Sequence, residues 1–221
     1  MSALETMLTT LEMKVKPLHT ALIVVDMQND FCAKGGIFDR DGMDISMNQA
    51  MAPRLTHFIS MAREIRVAIV YIQTIYYSPN RWYLSDVWLE QRKRRGRRSG
   101  IEEPACEQNS WGADFYDGIK PLPGEAVVNK HRFSAFLDTD LDLILRSKGI
   151  RTLIMTGVAT DVCVETTARD GFMRDYYIVF MRDCTASTSE ERHRNALKNI
   201  EIYFGEVVDS TDVLGCWKLR G

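Results

Sequence analysis

The sequence predicts an α/β fold in a single domain over residues 1–221, with a parallel sheet and helices on both faces. Uninterrupted apolar, β-branched runs at 20–26 and 67–73 are typical of strands buried on both faces of a sheet. Between them, residues 47–66 repeat apolar side chains at helical spacing. Two strands joined through a helix make a parallel unit, and 221 residues suit one domain with a full core.

The rest of the chain adds four more predicted strands. They are short apolar runs at 125–130, 153–155, 176–181 and 206–209. Helical spacing alternates with them at 138–148, 160–174 and 189–204, where Ser189 can cap the last helix. An amphipathic helix is also expected within residues 1–16.

Composition and charge exclude several classes of protein. The net charge is −2 with 26% charged residues, which selects neither nucleic acid nor a membrane surface as partner. No run approaches the roughly 20 apolar residues of a membrane span, and residues 1–16 do not read as a signal peptide. Five cysteines without a C-x-x-C pair indicate reduced thiols, and the four histidines lack metal-site spacing. We therefore expect a cytoplasmic protein without a metal or cofactor.

Residues 74–120 interrupt the pattern and predict a long irregular insertion, which could act as a lid. Its aromatic residues could roof a pocket or contact another subunit. Its basic run, 92–98, could be a solvated surface, a subunit contact or a guide for an anionic substrate.

Cys163 follows the strand at 153–155, after Gly157. Thr160 or Asp161 can cap a helix there, so Cys163 is expected in the first helical turn. A helix N-terminus favours a thiolate, which predicts a lowered pKa for Cys163. The alternative is a buried structural cysteine, because free cysteines are usually buried.

Three polar residues stand at the carboxyl ends of predicted strands: Asp26, Lys130 and Cys163. These ends share one edge of a parallel sheet, where such folds place their sites. A carboxylate can take a thiol proton, and an ammonium stabilises the resulting charges. The other interpretations are a helix cap for Asp26 and an exposed lysine for Lys130.

The chain resembles the isochorismatase-like cysteine hydrolases in three segments, 24–31, 129–136 and 157–163, in this order. The resemblance implies a Rossmann-like six-stranded parallel sheet and a catalytic triad of Asp26, Lys130 and Cys163. It also implies a cis peptide between Val158 and Ala159, with the N–H groups of Ala159 and Cys163 forming an oxyanion hole. In the implied mechanism, Asp26 deprotonates Cys163, which attacks an amide carbonyl; ammonia leaves and water hydrolyses the thioester.

Within the family, segments 141–150, 165–172 and 199–205 look most like ureidoacrylate amidohydrolases of pyrimidine breakdown. The resemblance makes Gln73, Thr74, Phe133 and Phe136 the candidate substrate-binding residues. Thr74 and Phe133 replace an Asn and a Tyr of those enzymes, so biuret, triuret or an N-carbamoyl amino acid are alternative substrates. Members of this family commonly pair their subunits, so the resemblance also implies a homo-oligomer, either a dimer or a tetramer. An alternative of another class is a redox-sensing or binding protein, with Cys163 as a switch.

Overall fold

The computed structural model describes residues 6–76, 82–97 and 105–218. The start of the expected N-terminal helix, before residue 6, and Arg98 at the end of the basic run lie outside the described residues.

Six parallel strands form one sheet and confirm the predicted fold class. Their bounds are β1 Thr20–Val25, β2 Ala68–Thr74, β3 Ala126–Lys130, β4 Thr152–Val158, β5 Tyr177–Ala186 and β6 Glu206–Val208. The order across the sheet is β3-β2-β1-β4-β5-β6. The chain therefore switches direction between β1 and β4, and a switch point of this kind opens a crevice at the carboxyl ends of the strands.

The described helices lie between and beside the strands. They are α1 Leu11–Lys14, α2 Asn29–Cys32, α3 Ile37–Arg40, α4 Ser46–Glu64, α5 Asp86–Arg94, α6 Leu141–Ser147, α7 Glu165–Phe172, α8 Glu190–Tyr203 and α9 Ser210–Lys218. A 3₁₀ turn, Pro17–His19, precedes β1, and one turn of π-helix, Thr160–Val164, precedes α7. Within these ranges, no helix is both long and apolar enough to cross a membrane.

Alternate residues of the buried strands feed two separate cores. On one face, α4 and α9 pack through Phe58 and Trp217, whose rings stack with centroids 5.1 Å apart. On the other face, α6, α7 and α8 cover β1 and β4 through side chains such as Leu141, Ala168 and Ile200. Because both faces are covered, the central strands carry the continuous apolar runs seen in the sequence.

Strand β5 is longer than predicted. It continues through Arg182 and Asp183 to Ala186, beyond the apolar run that ends at Met181. Arg182 pairs with Asp209, 2.8 Å away, and Asp183 accepts hydrogen bonds from the backbone and hydroxyl of Ser210. These partners lie at the start of α9, which was not predicted. Polar residues that have partners can continue a strand that hydropathy alone would end.

The insertion is less irregular than expected, because α5 lies inside it. Its N-cap Ser85 accepts a hydrogen bond from Trp88 N, but the helix contains no buried residue. Without an apolar stripe, its spacing carries no amphipathic signal. The N-terminal helix is also shorter than expected: within the described residues it covers Leu11–Lys14 only.

Gly157 allows β4 to pass close to β1. Its φ is +101°, and an added Cβ would lie 2.0 Å from the carbonyl oxygen of Val25, its partner in the sheet. The register of β4 against β5 shifts between Met155 and Gly157. Gly157 does not end the strand, as its position in the sequence suggested; it lets the strand continue to Val158, beside the site described below.

We expect Gly157→Ala to lower the free energy of unfolding by about 3 kcal/mol or more, measured by urea denaturation. The loss combines overpacking, about 1–3 kcal/mol, with a left-handed backbone, about 1–2 kcal/mol. Gly149→Ala is the matched control, because Gly149 has φ +65° but no atom within 4 Å of an added Cβ. Equal losses for the two variants would contradict the close approach.

Candidate active site

The three strand-end residues come together at the carboxyl edge of the sheet. Asp26 follows β1, Lys130 ends β3 and Cys163 lies in the π-turn after β4. Lys130 Nζ is 2.9 Å from Asp26 Oδ2 and 3.3 Å from Cys163 Sγ. The ammonium therefore contacts both the carboxylate and the thiol, as the strand-end positions predicted.

Thr74, the last residue of β2, joins the carboxylate and the ammonium from the side. Its hydroxyl donates to Asp26 Oδ1 at 3.0 Å and accepts from Lys130 Nζ at 2.7 Å. The ammonium also donates to the carbonyl oxygen of Arg132, at 3.0 Å. Thr74 was expected to contact substrate. The structure places it in a polar cluster with Asp26, Lys130 and Cys163, and also at the edge of the cavity described below.

Gln28 holds Thr74 in place. Its side-chain oxygen accepts from Thr74 N at 2.8 Å, and its amide nitrogen donates to Thr74 O at 2.9 Å. The same nitrogen donates to Ala113 O at 2.9 Å. Gln28 is completely buried, so these bonds are shielded from water. It thereby ties the segment after β1 to the end of β2 and to the insertion.

Burial and charge oppose each other at this cluster. The side chains of Asp26 and Lys130 are each 1% exposed, so both ions are almost entirely removed from water. Burial alone would lower the pKa of Lys130, but Asp26 in first place, with Cys163 and Tyr76, raises it above its usual value. Lys130 is therefore an ammonium at neutral pH.

The pKa of Cys163 moves against the expectation from the sequence. Burial raises the pKa of the thiol to about 12; Lys130 opposes this, and Asp26 adds to it. The expected lowering at a helix N-terminus is wrong, because burial outweighs it and the first turn is a π-turn rather than an α-helix. Cys163 is partly exposed to the cavity and carries its proton in the resting protein.

One oxygen of Asp26 is available as the proton acceptor. Within the described part of the chain no well-directed hydrogen bond reaches Oδ2, although the oxygen is buried and 2.9 Å from Lys130 Nζ. The Asp26 carboxylate also helps to raise the pKa of the Cys163 thiol, as a neighbouring negative charge does. A buried carboxylate oxygen with spare acceptor capacity, beside a protonated thiol, can serve as a general base.

The backbone after β4 has the expected conformation. The Val158–Ala159 peptide is cis. Ala159 and Cys163 both line the cavity described next, where their N–H groups were predicted to form the oxyanion hole. The predicted caps have other partners: the Thr160 hydroxyl is hydrogen-bonded to His193 Nδ1 at 2.8 Å, and Asp161 pairs with Arg192 at 3.1 Å.

A cavity of about 120 Å³ opens beside the polar cluster. The sheet edge contributes one wall, and α5 with the turn after it contributes another. The lining includes Phe31, Phe38, Met43, Tyr76, Trp88, Arg92, Arg95, Arg97, Cys106, Phe133 and Arg192, together with Asp26, Thr74, Lys130 and Cys163.

The four predicted substrate-binding residues separate into two pairs. Thr74 and Phe133 line the cavity, and Phe133 packs against Trp88 with ring centroids 4.6 Å apart. Phe136 is buried in the core against Tyr176, and Gln73 donates from its side chain to Ala113 O at 2.7 Å. The expectation that these two face the substrate is therefore not met: one belongs to the core and the other anchors the insertion.

Several residues of the site were not singled out from the sequence, although Tyr76 is one of the aromatic residues that could roof a pocket. Tyr76 and Cys106 line the cavity and are buried, and the backbone of Tyr76 hydrogen-bonds that of Cys106. Asp30 Oδ2 accepts from Cys106 N at 2.6 Å, and Asn29 Nδ2 donates to Trp111 O at 2.8 Å. The polar residues after Asp26 are the signal that could have revealed this anchoring of the insertion.

Among the described residues, no three His, Cys, Asp or Glu side chains are grouped so as to hold a metal.

A parallel α/β sheet with a thiol beside a buried carboxylate–ammonium pair at its carboxyl edge defines a cysteine hydrolase. Residues 20–212 match the model of the isochorismatase domain. The chain belongs to the isochorismatase family.

Sequence relatives and solved structures agree with this assignment. Ureidoacrylate amidohydrolase RutB of Methylorubrum extorquens is 37% identical over 201 residues, covering 86% of this chain and 79% of the relative. A cysteine hydrolase from Pseudomonas syringae pv. phaseolicola superposes with a TM-score of 0.79 at 25% identity, covering 93% and 95% of the two chains. N-carbamoylsarcosine amidase from Thermoplasma acidophilum gives 0.66 at 25% identity, covering 87% and 96%.

We expect Thr74→Val to lower kcat about 10- to 100-fold, because it removes the hydroxyl that orients Asp26 and Lys130 while preserving shape. The matched control is Thr152→Val, at the opposite end of the sheet: the Thr152 hydroxyl is buried and has no hydrogen-bond partner among the described residues. The control should keep full activity. Unchanged turnover in a folded Thr74→Val protein would contradict the bridging role.

Proposed function

We propose that this protein is a cysteine amidohydrolase that cleaves a C–N bond of a small ureido or carbamoyl compound, with ureidoacrylate as the first candidate. The observation that carries the proposal is the contact of Lys130 Nζ with both Asp26, at 2.9 Å, and Cys163, at 3.3 Å. Burying a lysine and a carboxylate carries a large desolvation penalty, and an apolar contact would hold the fold together without it. This penalty supports a chemical role for Lys130.

The substrate class comes from the relatives. Those named ureidoacrylate amidohydrolase share 35–37% of their residues with this chain over most of its length. A structural neighbour is named for its action on N-carbamoylsarcosine, which also carries a carbamoyl nitrogen. The cavity is small and places the Cys163 thiol beside the proposed base, which suits a small ureido group.

In the first half of the reaction, Asp26 takes the proton of Cys163 as the sulfur attacks the ureido carbonyl carbon. A C–S bond forms, and the carbonyl electrons move to oxygen. The proposed acceptors of that charge are the backbone N–H groups of Ala159 and Cys163. When the carbonyl re-forms, the C–N bond breaks, and Asp26 returns the proton to the nitrogen, which leaves as ammonia.

In the second half, water attacks the resulting S-thiocarbamate, which is the thioester of a carbamic acid because the ureido carbonyl keeps its second nitrogen. Asp26 takes a proton from the water, a C–O bond forms, and the C–S bond breaks. The sulfur recovers its proton from Asp26, and the product leaves as the carbamic acid. Lys130 stays an ammonium throughout: it balances the carboxylate in the resting enzyme and the thiolate while Asp26 holds the proton.

The competing interpretations differ in what they require of the thiol. A redox sensor needs a reactive thiolate, whereas burial holds Cys163 protonated with a raised pKa. Biuret, triuret and N-carbamoyl amino acids present the same carbonyl to the same sulfur and remain alternative substrates. A homo-oligomer and a cytoplasmic location also remain predictions.

We expect ammonium release from ureidoacrylate, and little or none from nicotinamide, with biuret, triuret and N-carbamoylsarcosine tested in the same assay. Cys163→Ala and Lys130→Met should each lower the rate by at least about 10³-fold, as loss of a nucleophile or its charge partner does in other enzymes. Cys216→Ala, which changes a partly buried cysteine of α9 outside the cavity, is the matched control.

The two variants test different parts of the proposal. Retained activity in Cys163→Ala would show that Cys163 is not the nucleophile. Retained activity in Lys130→Met would show that the reaction does not need the proposed triad. No ammonium from any ureido or carbamoyl compound, with a folded protein and an intact thiol, would overturn the substrate class.

A further inference from the structure

The basic run of the insertion lies at the cavity of the active site. Arg92 is in the last turn of α5, and Arg95 and Arg97 follow in the turn after it. All three line the cavity that contains Cys163, and Arg192 of α8 lines it from another side. The proposed chemistry uses none of these four side chains. The basic run at 92–98 was weighed from the sequence as a solvated surface, a subunit contact or a guide for an anionic substrate, and the position of Arg92, Arg95 and Arg97 at the cavity favours the last of these.

The described lining of the cavity carries more positive than negative charge. Its cations are Lys130, Arg92, Arg95, Arg97 and Arg192, and its carboxylates are Asp26 and Asp161. Asp26 balances Lys130, and Asp161 lies 3.1 Å from Arg192. For Arg95, at the exposed rim, no carboxylate of the described residues lies within ion-pair distance.

Arg97 is a partly buried member of this group. Its side chain is 19% exposed, and its Nη1 lies 4.0 Å from Asp41 Oδ2, a carboxylate oxygen that accepts no hydrogen bond from the described residues. Burial lowers the pKa of Arg97, and the like charge of Arg95 lowers it further; Asp41 opposes, and Arg192 and Arg92 add to the lowering. The other three arginines thus lie near enough to Arg97 to repel its charge, and a bound anion would relieve that repulsion.

Aromatic rings support two of the guanidinium groups. Arg92 lies over the ring of Tyr76 at 5.2 Å and near that of Trp88 at 5.9 Å. Arg97 lies over Phe38 at 5.9 Å. A guanidinium whose face rests on a ring is held in one orientation, and the planar guanidinium group matches both oxygens of a carboxylate. Exposed, solvated arginines would not need such supports.

We propose that Arg92, Arg95, Arg97 and Arg192 form a carboxylate-binding subsite, so that the enzyme selects ureido or carbamoyl substrates that also carry a carboxylate. The inference rests on the proposed function and narrows it: acidic compounds such as ureidoacrylate are substrates, and neutral ones such as biuret and triuret are disfavoured. The sheet edge supplies the chemistry, and the insertion supplies the selection by charge.

The direct test compares ureidoacrylate with its methyl ester, which differs in the charge of the carboxylate. Wild-type enzyme should favour the acid, and Arg97→Gln should lower kcat/KM for the acid about 10- to 100-fold, mainly through KM. Activity on the ester should stay within about twofold. Because Arg97 is partly buried, Arg95→Gln at the exposed rim provides a second variant without a folding risk, with a loss of about threefold.

Arg94→Gln is the matched control. Arg94 belongs to the same basic run, but its side chain is 71% exposed, faces Glu90 at 4.0 Å and does not line the cavity. It should leave both substrates unaffected. Equal losses for acid and ester in the Arg97 and Arg95 variants, or no loss for the acid, would overturn the subsite.

A second measurement does not depend on turnover. Iodoacetate and iodoacetamide alkylate a thiol by the same displacement and differ in charge, so their rate ratio at Cys163, followed by mass spectrometry, reports the cavity's preference for anions. The ratio should fall at least about threefold in Arg97→Gln or Arg95→Gln and stay unchanged in Arg94→Gln. A changed ratio without ureido hydrolysis would reject the proposed function alone. An unchanged ratio alongside hydrolysis would reject the subsite alone.

Discussion

The structure of the site depends on the buried ion pair between Asp26 and Lys130. Each side chain is 1% exposed, so neither charge has water to stabilise it and each requires the other. Removing one partner of such a pair typically costs about 3–5 kcal/mol, because the other charge stays buried and uncompensated. Three adjacent strands meet this requirement: β1 leads into the carboxylate, β3 ends in the ammonium, and β2 ends in Thr74, which is hydrogen-bonded to both. The thiol, from beyond the fourth strand, enters a site whose charges are already balanced.

The segment after Asp26 connects this pair to the insertion. Gln28, Asn29 and Asp30 use their side chains to hold backbone groups of β2 and of residues 105–113. The same insertion carries α5, whose aromatic and basic side chains face the cavity. One short polar segment therefore carries the proposed base and also anchors the insertion that lines the cavity. A few buried hydrogen bonds therefore join the sheet edge to the insertion, beside the apolar contacts that Phe115, Tyr116 and Ile119 make with the core.

The grouping of Asp26, Lys130 and Cys163 was predictable from the sequence. The carboxyl ends of parallel strands share one edge of the sheet, and each of the three residues follows or ends a predicted strand. Properties that depend on three-dimensional surroundings were not predictable in this way. The pKa of Cys163 is set by burial, which a position near a helix N-terminus does not reveal. Phe136 follows Phe133 closely in the sequence, but the turn between them directs Phe136 into the core. Helix α5 lacks the apolar stripe that makes a helix visible in a sequence.

The central claim is that the thiol rests protonated beside a balanced ion pair and gives its proton to Asp26 only as it reacts. Titration of thiolate absorbance near 240 nm tests it directly, taking the difference between wild type and Cys163→Ala to isolate this sulfur. Because burial raises the pKa of Cys163 to about 12, the difference should show no thiolate at neutral pH and should rise only on the alkaline side of the usual thiol range. A step between about pH 5 and 8 that disappears with Cys163 would contradict the account, because the resting thiol would then already be a thiolate.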